Sequence, residues 1–232
     1  MTSRRLALHS LALLAALHAA PSPADAQRNP SAVGFQAGYA YSSLISSEVQ
    51  EALTGRQGAL VGVYFRRRVL PWLALQAELD FASKGGDIPT PDLEPGGLEA
   101  LRLELGVLEI PLLVRIAPSY RRESLRPFAY GGMSVGLEIG CSRIFLGPDL
   151  VQSVDCASSG TVPVFGNPIE VAPIDITSPE VSWLAGLGIQ WEHKDINLGI
   201  EARYQRGLRP VLASGDIDLR SQLIAILIAL TI

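Results

Sequence analysis

Lys84 and Lys194 are the only lysines in this chain of 232 residues, so arginine carries nearly all of its positive charge. Histidine is almost as scarce. His9 and His18 lie in an N-terminal segment that reads as a leader, which leaves His193 alone beyond it. Hydrolytic chemistry built on serine or aspartate with histidine therefore has little to work with, and His193 sits in a short polar turn beside Glu192 and Lys194. No phosphate-binding loop and no metal-ligand spacing is present, so no cofactor is expected. A basic tract is missing too, which removes the electrostatic footprint of a nucleic-acid-binding protein. Beyond the leader no apolar run approaches the roughly 20 residues of a membrane-spanning helix. The longest, Leu223 to Leu230, is the size of a strand.

What the chain does have is a two-residue rhythm, repeated about eight times. In the segment from Ile196 to Arg206, Ile196, Leu198, Ile200, Ala202 and Tyr204 share one strand face. Asn197, Gly199, Glu201, Arg203 and Gln205 share the other. The N-terminus supplies the context. Arg4 and Arg5 precede an apolar core from Leu6 to Ala20, and Ala24-Asp25-Ala26 is a small-x-small cleavage site before Gln27. Residues 1–26 are thus expected to be a cleaved export signal and 27–232 a single domain, with 17 basic against 22 acidic residues.

Eight strands are expected: about 31–43, 58–68, 72–83, 98–117, 126–140, 180–192, 196–206 and 220–232. The connections between them alternate long and short, the long ones being 46–57, 84–97, 141–179 and 207–219. The fourth strand changes parity midway. Leu101, Leu103, Leu105 and Val107 are odd-numbered and Ile110, Leu112, Val114 and Ile116 even, which predicts a β-bulge near Leu108-Glu109. Cys141 and Cys156 both fall in the longest connection, and in an exported protein they are expected to form a disulfide closing that loop.

The fold these patterns imply is all-β: an eight-stranded antiparallel up-and-down transmembrane barrel in the outer membrane, with short periplasmic turns and long extracellular loops. A soluble lipocalin-like barrel would show the same parity with inside and outside exchanged. Near-charge-free apolar faces, polar faces mixing glycine with paired charges, and the lack of lysine favour the membrane barrel.

The strand Val107-Leu108-Glu109-Ile110-Pro111-Leu112-Leu113-Val114-Arg115 resembles that of the PorT-related and "porin family" outer-membrane barrels of the Bacteroidetes. So do Arg126-Pro127-Phe128-Ala129-Tyr130-Gly131-Gly132, Gly186-Leu187-Gly188-Ile189-Gln190-Trp191 and Glu201-Ala202-Arg203-Tyr204. The resemblance implies the barrel fold over the whole mature chain and says little about activity. Where such chains often end in an aromatic residue, this one ends Leu230-Thr231-Ile232.

The inward faces are expected to hold a charge network of Arg66, Glu78, Asp80, Arg102, Glu104, Glu109, Arg115, Glu138, Glu192, Glu201 and Arg203. An eight-stranded barrel is just wide enough for side chains to fill it, and desolvated charges must find partners. The network is read as a salt-bridged plug, with a charge-lined ion path as the alternative and a lipid-modifying enzyme as a weaker one. Function then falls to the outer loops. Loop 141–179, with Ile144, Phe145, Leu146, Val162, Val164 and Phe165, is a candidate contact for a surface ligand or envelope protein. The other partner expected is outer-membrane lipid.

Overall fold

The computed structural model describes residues 30–46, 54–89, 100–118, 125–147, 150–164, 167–193, 196–212 and 219–232. The expected leader and the turn residues Lys194 and Asp195 lie outside them, as do parts of the predicted connections. Ser31–Ile232 forms one compact unit. Its strands are β1 (Ser31–Ser46), β2 (Thr54–Leu70), β3 (Leu73–Pro89), β4 (Ala100–Ile116), β5 (Leu125–Gly147), β6 (Leu150–Asp155), β7 (Gly160–Val164), β8 (Asn167–Val171), β9 (Glu180–His193), β10 (Ile196–Gly207) and β11 (Leu219–Thr231).

Eight of these close a barrel. The antiparallel ring runs β1-β2-β3-β4-β5-β9-β10-β11 and returns to β1, with Gly34 opposite Thr231 at the seam. Closure leaves no edge strand among the eight, the condition for a sheet to lie in lipid. One end of the barrel holds Ile232 and the β2–β3 turn and is called the near end; the other is the far end.

Parity sets the two sides of the wall. In β1, β2, β3 and β9 the even-numbered residues point inward, and in β4, β10 and β11 the odd-numbered ones do. The outer face is apolar and bare: Leu187 is 66% exposed, Leu112 63% and Ile226 60%. Inside lie Gln36, Glu78, Asp80, Glu109, Glu201 and Arg203, all buried. An apolar belt of this extent needs lipid against it, whereas soluble monomers keep exposed apolar patches to a few hundred Å². The lipocalin-like arrangement is therefore the wrong way round for this chain.

The bulge is not where the fourth strand's sequence puts it. β4 keeps one parity throughout, with Leu103, Leu105, Val107, Glu109, Leu113 and Arg115 all buried inward. The irregularity lies across from it: Gly106 pairs with Gly140 and Val107 with Glu138, so Ile139 of β5 is the extra residue. It exchanges the faces of β5, from Ser134 and Gly136 inward below to Cys141, Arg143 and Phe145 inward above. Leucines on the inward parity of β4 mimicked a slip because the lumen turns apolar at the far end. There Leu44, Leu103, Leu105, Val107 and Val211 pack with the Cys141–Cys156 disulfide, joined by Ile174 and Ile176.

Two further expectations are corrected at this end. β3 runs on to Pro89 instead of ending at Ser83, and it carries Lys84 inward, where 1% of it is exposed. Gly85 makes this possible: its φ of 139° is open only to glycine, and a Cβ there would lie 1.9 Å from the Leu103 carbonyl oxygen. The stretch from Cys141 to Pro179 is also not irregular throughout. Cys141 sits within β5, β6 pairs back on β5, and β7 and β8 form a separate hairpin. The Arg143 guanidinium organises the junction by donating to the backbone oxygens of Ala172 (2.7 Å), Ser158 (3.0 Å) and Asp155 (3.3 Å). Burial holds Arg143 below the ordinary guanidinium value.

The disulfide closes a separation of 15 residues, worth about 3 kcal/mol on the chain-entropy account. A Cys141→Ser/Cys156→Ser variant is expected to keep the folded, heat-modifiable band on a gel while residues 141–179 become more susceptible to protease. Loss of the folded band would instead make the far-end cap essential to barrel formation.

Candidate functional site

The centre of the lumen is organised on one side chain. Arg203 enters from β10, flanked on the same inward face by Glu201 and Gln205, and 1% of it is exposed. Across the barrel β3 presents Glu78 and Asp80 two residues apart, the spacing that puts both on one face. Arg203 Nη1 lies 2.9 Å from Glu78 Oε2 and 2.9 Å from Asp80 Oδ2, and Nη2 lies 3.1 Å from Glu201 Oε1. Its Nε donates to the Tyr130 hydroxyl at 3.0 Å, and that hydroxyl donates to Glu201 at 2.8 Å. Gln36 donates to Glu78 (2.9 Å) and Asp80 (2.7 Å), and Gln76 to Glu78 (2.5 Å). One guanidinium thus ties β3, β5 and β10 together across the lumen. Desolvated charge-assisted bonds of this kind hold only when nearly every donor and acceptor is met.

Small residues make room for the rings in this layer. Tyr130 lies over Gly186, where a Cβ would come within 2.4 Å of the ring, and Tyr64 lies over Gly34 at 2.2 Å. Tyr64 also hydrogen-bonds Thr231 at 2.5 Å, joining β2 to β11 beside the seam.

Above this layer Lys84 faces Glu109 at 2.6 Å and Glu180 at 3.0 Å. Gln205 donates to Glu109 (2.7 Å) and Ser182 (2.8 Å), and Ser221 bonds Glu180. Glu138 lines a small space of about 20 Å³ beneath the apolar cap, with Leu105, Val107, Ile176 and Val211. Below the Arg203 layer, Arg66 donates to Gln76 (2.7 Å) and Gln190 (3.3 Å), and Arg115 to Gln190 at 2.6 Å. The Arg115 guanidinium also lies 3.4 Å over the Phe128 ring. At the near-end rim Arg126 pairs with Glu192 at 3.0 Å.

The eleven charges expected in one lumen network are therefore divided among several places. Glu78, Asp80, Glu201 and Arg203 meet directly, and Glu109 belongs to a separate cluster with Lys84. Arg66 and Arg115 converge on an amide, and Glu192 lies lower still. Arg102 and Glu104 are not in the lumen at all. Because β4 keeps its parity, they stand on the outer wall at the far end, where Arg102 meets Asp87 (2.7 Å) and Glu104 meets Arg56 (2.8 Å). The hydrogen bonds that Arg102 donates to Asp87 hold its guanidinium above the ordinary value. Lys84 is missed because the glycines after it read as loop, and Glu180, at the start of the expected sixth strand, is not counted among the inward charges. Gln36, Gln76, Gln190 and Gln205 had the right parity but no charge to mark them.

Two substitutions separate these roles. Arg203→Met leaves three carboxylates facing one another in the lumen and is expected to cost about 3–5 kcal/mol in urea unfolding of the refolded barrel. Arg102→Met on the outer wall, where the pair with Asp87 is only partly buried, is expected to cost under about 1 kcal/mol. Equal effects would remove Arg203 from its central place. Gly186→Ala forces the Tyr130 ring aside and is expected to cost about 1–3 kcal/mol by the same measurement.

A sequence comparison with curated proteins finds no match. Among solved structures, the chain is similar to OprG from Pseudomonas aeruginosa at 9% identity, covering 88% of this chain and 97% of that one, with a TM-score of 0.48. It is similar to Neisserial surface protein A at 10% identity, over 85% of this chain and 95% of that one, with a TM-score of 0.44. Ail, the attachment invasion locus protein of Yersinia pestis, gives 10% identity over 88% of this chain and 100% of that one, with a TM-score of 0.41. The family model described as "Outer membrane protein beta-barrel domain" matches residues 24–213. With most of its length under that match and a closed barrel that is apolar outside and charged within, the chain belongs to the outer membrane protein beta-barrel domain family.

Proposed function

We propose that this protein is a closed outer-membrane barrel that works by presenting its far-end extension, residues 141–179, to a surface ligand or envelope protein. The observation that carries this is the double closure of the lumen. The Arg203 layer fills its middle, and the apolar cap around Leu103, Leu105 and Val107 fills the far end. An eight-stranded barrel has little lumen to begin with, and here side chains from both walls meet across it. In this reading the near end faces the periplasm, the far end faces outward, and residues 1–26 are the leader removed on export. The motifs shared with PorT-related barrels support kinship with them inside the family.

The extension is built as a presented element rather than a slack connection. β5 carries it out from the wall, Arg143 and the disulfide fix its root, and Val151 (77% exposed) and Ile169 (47%) stand on its surface. A non-enzymatic role fits the central carboxylates: Glu78 and Asp80 are committed to Arg203 and Gln36, and a group so held is poorly placed to exchange protons with a substrate.

Planar-bilayer recording of the refolded chain 27–232 tests the closure. The expected result is a folded, heat-modifiable barrel that produces no discrete conductance steps. Steps that change ion selectivity in an Arg115→Gln variant would establish the narrow channel instead.

A further inference from the structure

In the middle and upper lumen each buried cation is answered by carboxylates, and at the near end it is not. Arg203 faces three carboxylates and Lys84 two. Arg66 and Arg115 have no carboxylate within ion-pair distance among the described residues, although Arg115 is 5% exposed. Both guanidiniums are instead directed at one neutral atom, Gln190 Oε1, at 3.3 and 2.6 Å. Two like charges answered by the amide oxygens of Gln190 and, for Arg66, Gln76 leave several N–H donors unused among the described residues, since each arginine has five in a rigid fork.

Those donors border a cavity of about 60 Å³ that also takes in Arg68, Arg126, Glu192 and Trp72. Among the described residues its lining holds four guanidiniums and one carboxylate, and that carboxylate is already engaged by Arg126. The buried Nε of Arg126 has no hydrogen-bond partner among the described residues. Among the described residues the rim is open, since Trp72 is 47% exposed and Arg68 is exposed beside it. The floor is closed by the Arg203 layer, which makes the space a cup and not a passage. A single water needs roughly 10–15 Å³, so the cup has room for a small polyatomic anion.

We propose that this near-end cup is a binding site for a phosphate-type oxyanion, with Arg66 and Arg115 as its floor and Arg68 and Arg126 as its rim. A tetrahedral oxyanion supplies what the protein withholds: several acceptor oxygens and negative charge placed among guanidinium forks. The Phe128 ring under Arg115 holds that guanidinium in place from behind. The anion can be free or can be the phosphate of a lipid headgroup reaching the rim beside Trp72. This site is separate from the far-end extension and does not depend on what the extension binds.

The test uses the refolded chain 27–232 in nonionic detergent, with Trp183→Phe and Trp191→Phe so that Trp72 is the sole tryptophan. Titration with inorganic phosphate is expected to change Trp72 emission saturably, while chloride at matched ionic strength does not. Arg66→Gln/Arg115→Gln is expected to weaken that binding at least tenfold. Should that pair fail to give a heat-modifiable barrel, Arg68→Gln/Arg126→Gln removes the rim and is expected to weaken binding several-fold. A parallel arm compares phosphatidylcholine vesicles with and without phosphatidylglycerol. A Trp72 response that requires phosphatidylglycerol and is competed by phosphate assigns the site to headgroups; a response to phosphate alone assigns it to the free anion. Identical responses to phosphate and chloride, with no effect of phosphatidylglycerol, would overturn the proposal. So would unchanged affinity in a folded arginine variant.

Discussion

A guanidinium buried in a lumen must be answered by negative charge, and the interior of this barrel is arranged around that demand at Arg203. Burying one ion without a partner costs several kcal/mol even after relaxation. The chain supplies Glu78 and Asp80 from β3 and Glu201 from the arginine's own strand. Three carboxylates against one cation would in turn be excessive. The surplus is spread over neutral donors, with Gln36, Gln76 and Tyr130 each donating into the cluster. Arginine suits the centre because its fork addresses several walls of the barrel at once, which the point charge of a lysine does not. The one lysine in the lumen, Lys84, sits where only two carboxylates converge.

The wall is built by a simpler rule, and the interplay of the two explains the bulge. Period two keeps lipid on one side and the lumen on the other, so a strand that passes from the membrane into the far-end cap must accommodate a lumen that turns from charged to apolar. β4 does this without irregularity, because its inward positions change from Glu109 and Arg115 to Leu103, Leu105 and Val107. β5 does it by inserting Ile139 and exchanging faces, which brings Cys141 inward to meet Cys156. The disulfide thus depends on the bulge. In register, residue 141 would have pointed out of the barrel.

This is also where legibility in the sequence ends. Eight strands and the inward placing of Arg203, Glu78, Asp80 and Glu201 follow from alternation, because alternation is what the bilayer enforces, whereas the cysteine pair follows from the export signal and its place in the longest connection. What alternation does not report is the height at which a lumen changes character. Leucines facing inward look the same as leucines facing lipid, so Leu103 to Val107 suggested a slip, and Arg102 and Glu104 were assigned to the wrong side of the wall. Lys84 was hidden differently. Its parity continues Gln76, Glu78, Asp80 and Ala82, but Gly85 and Gly86 behind it read as a turn, and only the tertiary position of Glu109 and Glu180 reveals a strand there. Glutamines were invisible for want of charge, although four of them join the polar layers.

Taken from far end to near end, the lumen is apolar, then acidic around Lys84 and Arg203, then basic at Arg66 and Arg115. Such a gradient is not required for closure, since a symmetric set of pairs would fill the same space. Arg66 and Arg115 could have been answered by acidic residues at positions 76 and 190, where the chain has glutamines. An acid at either place would form an ion pair of ordinary geometry and discharge the cup. Instead two amides hold the guanidiniums in position without neutralising them. Stability by itself would favour the acid, because a buried cation left beside an amide keeps most of its desolvation cost. Retaining positive charge at a floor open to one side fits a site whose negative partner arrives from outside the chain.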